Sequence, residues 1–211
     1  MNSESYPAPW NLKGKGFIFP FLADKKKMIQ SEILSAEDQK DFLGGLGAVM
    51  IVNYEESNVG PYYELLFIPG DFSHKNKKYK RITRIYVSSK LSISQGIKNW
   101  AIPKEFADFT WTENGNISVI SVGNFFRIKA EKILFPFPLT TILYPVKLCQ
   151  KESENSYLIT KFNGNGKGKL AKIHSMDSDN KYFPDFSSVS KFHFGLSVDN
   201  FKIMFPVAEN I

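Results

Sequence analysis

The segment GIKNWAIPKEFADF, residues 96–109, places one lysine among apolar side chains. Lys104 follows Ile102 and Pro103 and precedes Phe106. A buried ammonium group is costly unless it is paired or gives up its proton. Lys104 is therefore either a surface lysine whose charged end reaches water or a lysine that is held neutral. A neutral lysine is a nucleophile that forms Schiff bases with ketones and aldehydes, so Lys104 is a candidate catalytic residue.

Pro103 predicts how Lys104 is positioned, because proline is favoured at the first position of a helix. A short helix that begins at Pro103 would hold Lys104 in its first turn, where the helix dipole disfavours a positive charge. Burial beside Ile102 and Phe106 would lower the pKa of Lys104 further. We therefore predict a helix from Pro103 and a low pKa for Lys104, with an ordinary exposed lysine as the alternative.

The rest of the chain has the pattern of short strands, rich in β-branched and aromatic residues and separated by turn signals. A helix is also predicted from Ser35, which can cap it, to Gly44 and Gly45. So many short strands predict a mainly β (α+β) fold with a closed or nearly closed antiparallel sheet, because closure removes exposed edges. The predicted strands are residues 16–21, 48–54, 62–68, 81–88, 116–122, 125–133, 139–148, 157–162, 170–174 and 201–205.

Composition limits the class of protein. The 211 residues are 43% hydrophobic and 15% aromatic, and no linker or repeat divides them, so we expect a single domain over residues 1–211. The only cysteine, Cys149, excludes an intrachain disulfide and fits a reducing compartment. No apolar run is long enough to span a bilayer, and the N-terminus lacks the pattern of a signal peptide. We therefore predict a cytoplasmic protein with no membrane partner.

Basic and metal-ligating residues give no second function. The net charge of +6 is modest, and the basic runs 25–27 and 75–81 have neither stacking aromatic residues nor a basic helix beside them, so no nucleic-acid partner is predicted. Residues 163–169 (NGNGKGK) lack the spacing of a phosphate loop and are predicted to form a hairpin turn. No metal site is predicted because the three histidines are scattered: His74, His174 and His193.

The lysine segment resembles the active-site segment of the acetoacetate decarboxylase family. Gly96, Ala101, Pro103 and Lys104 stand in the order G-x-x-x-x-A-x-P-K. In that family the lysine after the proline forms the Schiff base with the substrate. The resemblance therefore implies that Lys104 is the catalytic nucleophile, activated by a desolvating pocket or by a neighbouring cation.

Three more segments match the family in the same order, and together the matches span roughly residues 8–110. One of them, residues 84–87 (RIYV), precedes Gly96 at the spacing of the family's strand that leads into the lysine segment. The segment GPYYE, residues 60–64, resembles the one that carries a pocket glutamate, which falls on Glu64. The segment PWNLKGKGF, residues 9–17, resembles the opening strand in which a basic residue faces the pocket, here Lys15. The resemblance implies a catalytic role for Glu64, substrate binding by Lys15, and a curved antiparallel β-barrel that encloses a pocket.

The chain departs from the family pattern at three places. Typical members have a second lysine after the first, and Glu105 stands there instead. An anion beside Lys104 would stabilise the ammonium form, although adjacent helical residues point about 100° apart and need not share a pocket. Lys15 replaces an arginine, which keeps the charge but loses bidentate recognition of a carboxylate. Residues 48–53 lack a second acidic residue, so acetoacetate itself is not predicted as the substrate.

The resulting hypothesis is a lyase that decarboxylates a small β-keto acid through Lys104 without a cofactor; its predicted partner is a small keto acid or ketone. An aldolase or dehydratase that uses the same Schiff base on a keto acid is the first alternative, and a non-catalytic small-molecule-binding barrel is the second. The alternative for Glu64 is a salt-bridged or edge residue, and that for Lys15 is an exposed strand residue. A homo-oligomer is implied by the resemblance alone.

Overall fold

The fold is mainly β, as the sequence predicts. The computed structural model describes residues 5–31, 33–141, 146–184 and 194–211. Their elements, in chain order, are β1 (Trp10–Ala23), α1 (Lys25–Gln30), α2 (Ala36–Asp41), β2 (Phe42–Glu56), β3 (Tyr62–Ile68), β4 (Asp71–His74), β5 (Lys77–Lys80), β6 (Arg84–Val87), α3 (Lys90–Trp100), β7 (Lys104–Phe106), β8 (Phe109–Asn114), β9 (Ile117–Val122), β10 (Phe126–Thr140), β11 (Lys147–Ser153), β12 (Ser156–Lys161), β13 (Asn163–Ser178), β14 (Gly195–Phe205) and β15 (Glu209–Asn210).

The strands form one branched sheet rather than a closed barrel. The main path runs β15-β12-β11-β5-β4-β2-β1-β14-β13-β10-β9-β8, and a branch of β3, β6 and β7 leaves from β2. Within the described residues no ladder joins β8 to β15, so the predicted barrel is not confirmed. Two of the strands at the edges of this sheet, β7 and β15, are only three and two residues long. Such short edge strands offer few unpaired backbone groups with which another chain could pair.

Alternation along the strands separates two apolar cores on the two faces of the sheet. In β1, Phe17, Phe19 and Phe21 enter the first core, whereas Trp10 and Leu12 enter the second. The second core is completed by side chains of β2, β3, β6 and α3 and of the segments around them: Tyr54, Tyr62, Leu66, Ile82, Ile85, Trp100 and Ile102. Every residue of β3 therefore has a defined face, and the even-numbered residues 62–68 face the second core.

The predicted helix at Pro103 is wrong. Helix α3 precedes this proline and ends at Trp100, because Ala101 adopts a left-handed conformation with φ 53° and its N–H bonds the carbonyl of Ile97. The next residues pair in parallel with β6, with Lys104 opposite Ile85. Lys104 thus begins a strand rather than a helix, and the helix-dipole argument for its pKa does not apply.

The other sequence predictions have mixed outcomes. Ser35 caps α2 as predicted by accepting a hydrogen bond from the N–H of Asp38, although the helix ends at Asp41, before the two glycines. Residues 163–169 were predicted as a hairpin turn, and this is wrong because they form the first half of β13. The predicted strand 139–148 includes residues 142–145, which lie outside the described residues. None of the helices described is long and apolar enough to span a membrane.

Glycines allow β1 to lie unusually close to β2. A Cβ atom at Gly14 would lie 1.9 Å from the backbone oxygen of Asn53, and one at Gly16 would lie 2.5 Å from that of Ile51. The register between β1 and β14 shifts between these two glycines. Because the obstructing atoms belong to the backbone, they cannot move aside as a side chain would.

Replacing Gly14 by alanine should therefore destabilise the fold. We expect Gly14→Ala to lower the free energy of unfolding by about 1–3 kcal/mol, the usual cost of overpacking. Lys13→Ala is the matched control on the adjacent, exposed position and should change it by less than about 1 kcal/mol. Urea denaturation followed by circular dichroism measures both, and equal effects would contradict this account of β1.

Candidate active site

Lys104 and Glu64 form a buried ion pair between two strands that flank β6. Strand β3 pairs with one edge of β6 and β7 with the other, so Glu64 and Lys104 reach the same face of the sheet across β6. The Nζ atom of Lys104 lies 2.9 Å from Oε2 of Glu64. The two residues are only 7% and 4% exposed. The structure therefore brings together the two residues that the sequence assigns to catalysis.

Three more side chains complete the polar contacts of the pair. Lys104 donates a second hydrogen bond to Oγ of Ser92, at 3.0 Å. Tyr54 donates its hydroxyl proton to the other carboxylate oxygen of Glu64, at 3.1 Å. The centre of the Tyr62 ring lies 5.2 Å from Nζ of Lys104, within the range of a cation–π contact. The ammonium and the carboxylate are thus both hydrogen-bonded, as buried charges must be.

Gly96 explains why the lysine segment has a glycine at this spacing. A Cβ atom at Gly96 would lie 2.9 Å from both Cδ and Cε of Lys104 and 3.5 Å from Nζ. Ser92 lies one helical turn before Gly96 on the same face of α3, since residues four apart are neighbours on a helix. Helix α3 therefore offers a slot for the lysine stem at Gly96 and a hydrogen-bond acceptor for the ammonium at Ser92.

The pKa of Lys104 is raised, so the prediction of a low pKa is wrong. Burial by itself lowers this pKa, but the charge of Glu64 and the hydroxyl of Tyr62 outweigh burial and hold the pKa above its usual value of 10.5. Lys104 is therefore an ammonium at neutral pH. Burial and the nearby Glu64 also raise the pKa of Tyr54 well above its usual value, so that Tyr54 stays protonated and donates to Glu64.

The ion pair lies in the wall of a small apolar cavity, which we call the lysine cavity. Its volume is about 50 Å³. Among the residues that the structure describes, Glu64 and Lys104 are the only charged residues that line it. The others are Trp10, Leu12, Met50, Tyr54, Tyr62, Leu66, Ile68, Ile82, Ile85, Trp100, Ile102, Leu148, Phe162, Ile203 and Phe205. A carbonyl compound that enters this cavity would leave water and meet Lys104 directly.

Lys15, the predicted substrate-binding residue, lies on the other face of the sheet. It is opposite Asn53 in the ladder between β1 and β2, whereas Tyr54, the next residue of β2, faces the ion pair. Its Nζ atom lies 2.5 Å from Oε2 of Glu113. The structure therefore does not bring Lys15 to Lys104 and Glu64. Glu105 is exposed and points away from the cavity because residues alternate along β7.

Of the aromatic residues near Lys104 in sequence, one lines the lysine cavity and the others lie outside it. Trp100 lines the lysine cavity, whereas Phe106 is 47% exposed. Phe109 and Trp111 stack on Tyr63, a neighbour of Glu64 in β3 that faces the opposite side. Only the first of these four aromatic residues is therefore part of the site.

Sequence reasoning missed three residues of the site: Tyr54, Tyr62 and Ser92. A signal for Tyr62 was present, because it precedes Glu64 by two residues in a strand and must share its face. Ser92 could be found only after residues 90–100 were known to be a helix. Tyr54 contacts Glu64 because of the register between β2 and β3, in which Tyr54 is opposite Tyr62.

The histidines lie away from the ion pair. His74 packs on the ring of Tyr157 with ring centres 4.1 Å apart, and His174 lies 2.8 Å from Oε2 of Glu131. His193 is outside the described residues. In the part of the chain that the structure describes, no group of three or more His, Cys, Asp or Glu side chains is placed to hold a metal ion.

Fold and site together define a mainly β protein with a buried lysine–glutamate pair in an apolar cavity. The acetoacetate decarboxylase family model matches residues 26–127, which include both members of the pair. The resemblance predicted from the sequence is therefore confirmed for this part of the chain: residues 26–127 are similar to the acetoacetate decarboxylase family, and solved acetoacetate decarboxylases share the fold. A comparison with curated protein sequences gave no match.

Solved structures show the same fold at low sequence identity. An acetoacetate decarboxylase from Legionella pneumophila matches with a TM-score of 0.67 and 12% identity, over 100% of this chain and 92% of that one. An acetoacetate decarboxylase-like enzyme from Sphingomonas wittichii matches with 0.69 and 10%, over 98% and 94%. The enduracididine biosynthesis enzyme MppR, in complex with pyruvate, matches with 0.66 and 10%, over 99% and 92%.

The ion pair should behave as one unit in stability measurements. Glu64→Leu or Lys104→Met alone leaves an unpaired buried charge, so each should lower the free energy of unfolding by about 3–5 kcal/mol at neutral pH. The double variant removes both charges and should recover most of that loss. The exposed pair Lys13–Glu56, with Nζ and Oε2 2.6 Å apart, is the matched control and should couple by less than about 1 kcal/mol. Additive effects at Glu64 and Lys104 in urea denaturation would contradict a coupled pair.

The same pair predicts how stability depends on alkaline pH. The pKa of Lys104 is higher in the folded protein than its usual 10.5, so its stabilising contribution is complete below that value and is lost as the pH rises through the folded-state pKa. We compare the free energy of unfolding of the wild type with that of the Glu64→Leu/Lys104→Met variant. The difference between them should stay level from about pH 7 to 10, and at higher pH the wild type should lose stability relative to the variant. A change already complete near neutral pH would show that the pKa of Lys104 is low.

Proposed function

We propose that the protein is a Schiff-base-forming enzyme that decarboxylates a small β-keto acid, with Lys104 as nucleophile and Glu64 as its proton partner. The observation that carries the proposal is the buried contact between Lys104 and Glu64 in the wall of an apolar cavity. A lysine in this position of the family segment supports the same chemistry. The raised pKa of Lys104 means that the amine must be generated within the site.

In the first step Glu64 takes a proton from the Lys104 ammonium, to which it is already hydrogen-bonded. The neutral amine attacks the ketone carbon, and the carbinolamine that forms loses its oxygen as water. Glu64 returns its proton to that leaving oxygen. The products are a protonated imine on Lys104, a water molecule and the Glu64 carboxylate, so the number of protons is conserved.

In the second step the bond between the α-carbon and the carboxylate breaks, and its electron pair moves to the imine nitrogen. Carbon dioxide leaves, and a neutral enamine remains. This step removes one positive and one negative charge from an apolar cavity, where separated charges are poorly solvated. Protonation of the enamine carbon and hydrolysis of the imine then release the ketone and restore the Lys104 ammonium.

An aldolase or dehydratase remains the second candidate, and one comparison favours it. MppR, which shares the fold, has also been solved with the condensation product of pyruvate and imidazole 4-carboxaldehyde. The imine on Lys104 could give an enamine that attacks an aldehyde instead of losing carbon dioxide. The product separates the two reactions. The third candidate, a binding protein without catalysis, requires that Lys104 forms no adduct.

The remaining expectations from the sequence stay predictions. Substrate binding by Lys15 would require a substrate group on the face of the sheet opposite the lysine cavity, where Lys15 pairs with Glu113. A cytoplasmic location, a single domain over residues 1–211 and a homo-oligomer accompany the proposal without further support.

Borohydride reduction in the presence of keto acids and ketones should give a covalent adduct on Lys104. Because the proton of Lys104 passes to Glu64 within the site and not to solvent, the rate of adduct formation should change little between about pH 7 and 9, both below the ordinary pKa of a lysine. Peptide mass spectrometry identifies the modified lysine, and carbon dioxide release identifies decarboxylation. Lys104→Met should give no adduct, and the absence of any wild-type adduct over this range would overturn the proposal.

Two variants serve as controls for the roles of the pair. Glu64→Gln removes the anion that raises the pKa of Lys104, so burial should lower that pKa. The amine of this variant must lose its proton to solvent, so its adduct formation should rise with pH up to that pKa. If Glu64 also carries the proton, adduct formation by Glu64→Gln should be slower than wild type at pH 9, despite the lower pKa. Faster formation at every pH would mean that Glu64 only raises the pKa. Lys15→Met tests the prediction that Lys15 binds the substrate, and unchanged kinetics would contradict that prediction.

A further inference from the structure

A second apolar cavity adjoins the lysine cavity, and we call it the tail cavity. Its volume is about 100 Å³, larger than that of the lysine cavity. None of its lining residues in the described part of the chain carries a charge, and they include Met50, Tyr54, Phe162, Gly166, Val198 and Ile203. Neither the ion pair nor the proposed decarboxylation requires this second space.

Four side chains line both cavities: Met50, Tyr54, Phe162 and Ile203. The two spaces therefore meet along a common wall, on the face of the sheet that carries the ion pair. Tyr54 is held in this wall by its hydrogen bond to Glu64. Met50 is unbranched and flexible, and such side chains move readily to fit a ligand. A ligand whose carbonyl contacts Lys104 can thus extend past Met50 into the tail cavity.

The glycines of the NGNGKGK segment help to form the tail cavity. Gly164 and Gly166 lie on one face of β13, where a Cβ atom would be 2.8 Å from Cγ1 of Ile203 or 2.7 Å from Cγ1 of Val198. A side chain at either position would push these two residues into the cavity. The alternating glycines that were predicted as a turn therefore leave open space beside the site.

The charges around the two cavities define what can bind. Lys104 and Glu64 neutralise each other, and the described lining residues of both cavities include no further charged side chain. A charged group on the part of a ligand that enters the tail cavity would be unpaired in apolar surroundings, which is costly. An apolar chain or ring gains free energy from the same surroundings.

We propose that the site binds carbonyl compounds with an apolar tail, and that its substrates are β-keto acids R–CO–CH₂–COO⁻ in which R is an alkyl chain or ring longer than methyl. The proposal rests on the proposed function for the reaction at the carbonyl group, whereas the tail cavity alone determines the preference for R. The group R lies against Met50 and Phe162 and ends near Val198 and Gly166.

The test compares acetoacetate, β-ketohexanoate and β-ketooctanoate in the full-length protein. Each buried methylene should raise kcat/KM for carbon dioxide release about fourfold until the cavity is full. In parallel, the binding of methyl ketones of matching lengths is measured by tryptophan fluorescence, since Trp10 and Trp100 line the lysine cavity. Binding does not require an adduct, so it tests the tail cavity independently of the chemistry.

Two variants change the tail cavity without touching the ion pair. Gly166→Ala should displace Val198 into the cavity and flatten the dependence of kcat/KM on tail length. Val198→Ala widens the cavity and should favour longer tails, and it keeps the test decisive if Gly166→Ala fails to fold. Ile51→Val is the matched control, because Ile51 lies next to Val52 in β2 but packs in the first core.

The outcomes separate the two proposals. Turnover and ketone binding that rise with tail length, and that respond to both cavity variants but not to Ile51→Val, support the inference. Turnover of acetoacetate with no gain for longer tails overturns the inference and leaves the proposed function intact. If no acid is turned over and no adduct forms, the proposed function fails. The binding of methyl ketones then tests the role of the tail cavity. Affinity that rises with tail length supports the inference, and affinity that does not depend on tail length overturns it.

Discussion

The ion pair between Lys104 and Glu64 is the interaction on which the site depends. Two charges inside an apolar core are tolerated only with close geometry and full hydrogen bonding, because each loses the solvation of water. The contacts of Ser92 and Tyr54 and the slot at Gly96 supply that geometry. Strand β6 sets the spacing, since its two neighbours carry the two charges. The contact between Lys104 and Glu64 therefore constrains the relative positions of α3, β3, β6 and β7.

The same pair determines how reactivity is controlled. A cation beside Lys104 would lower its pKa, and in this chain the position after Lys104 is a glutamate that faces solvent. Glu64 instead raises the pKa of Lys104 and keeps it charged at rest. In the proposed reaction, proton transfer within the pair supplies the free amine. An apolar cavity around the pair favours each step that removes charge.

Strand alternation explains which residues are near each other and which are not. Lys15 and Tyr63 lie close in sequence to residues of the site, yet both face the first core or its rim. Tyr54, Tyr62 and Glu64 share the second face. A shift of one residue in the register of β3 would move Tyr62 and Glu64 to the other face and bring Tyr63 to the face of the ion pair. The tail cavity follows the same rule, because glycines at alternate positions of β13 lie on the face that borders it.

The sequence by itself determined the mainly β class, the cap of α2 at Ser35, and Lys104 and Glu64 as candidates, because strand patterns, capping residues and the family segment are local. The tertiary structure decided the open sheet, the strand at Lys104 and the position of Lys15. It also decided the pKa of Lys104, which depends on a partner forty residues away in sequence. Burial can be inferred from apolar neighbours, but the charge that meets a buried lysine is set by strand pairing, which no local pattern encodes.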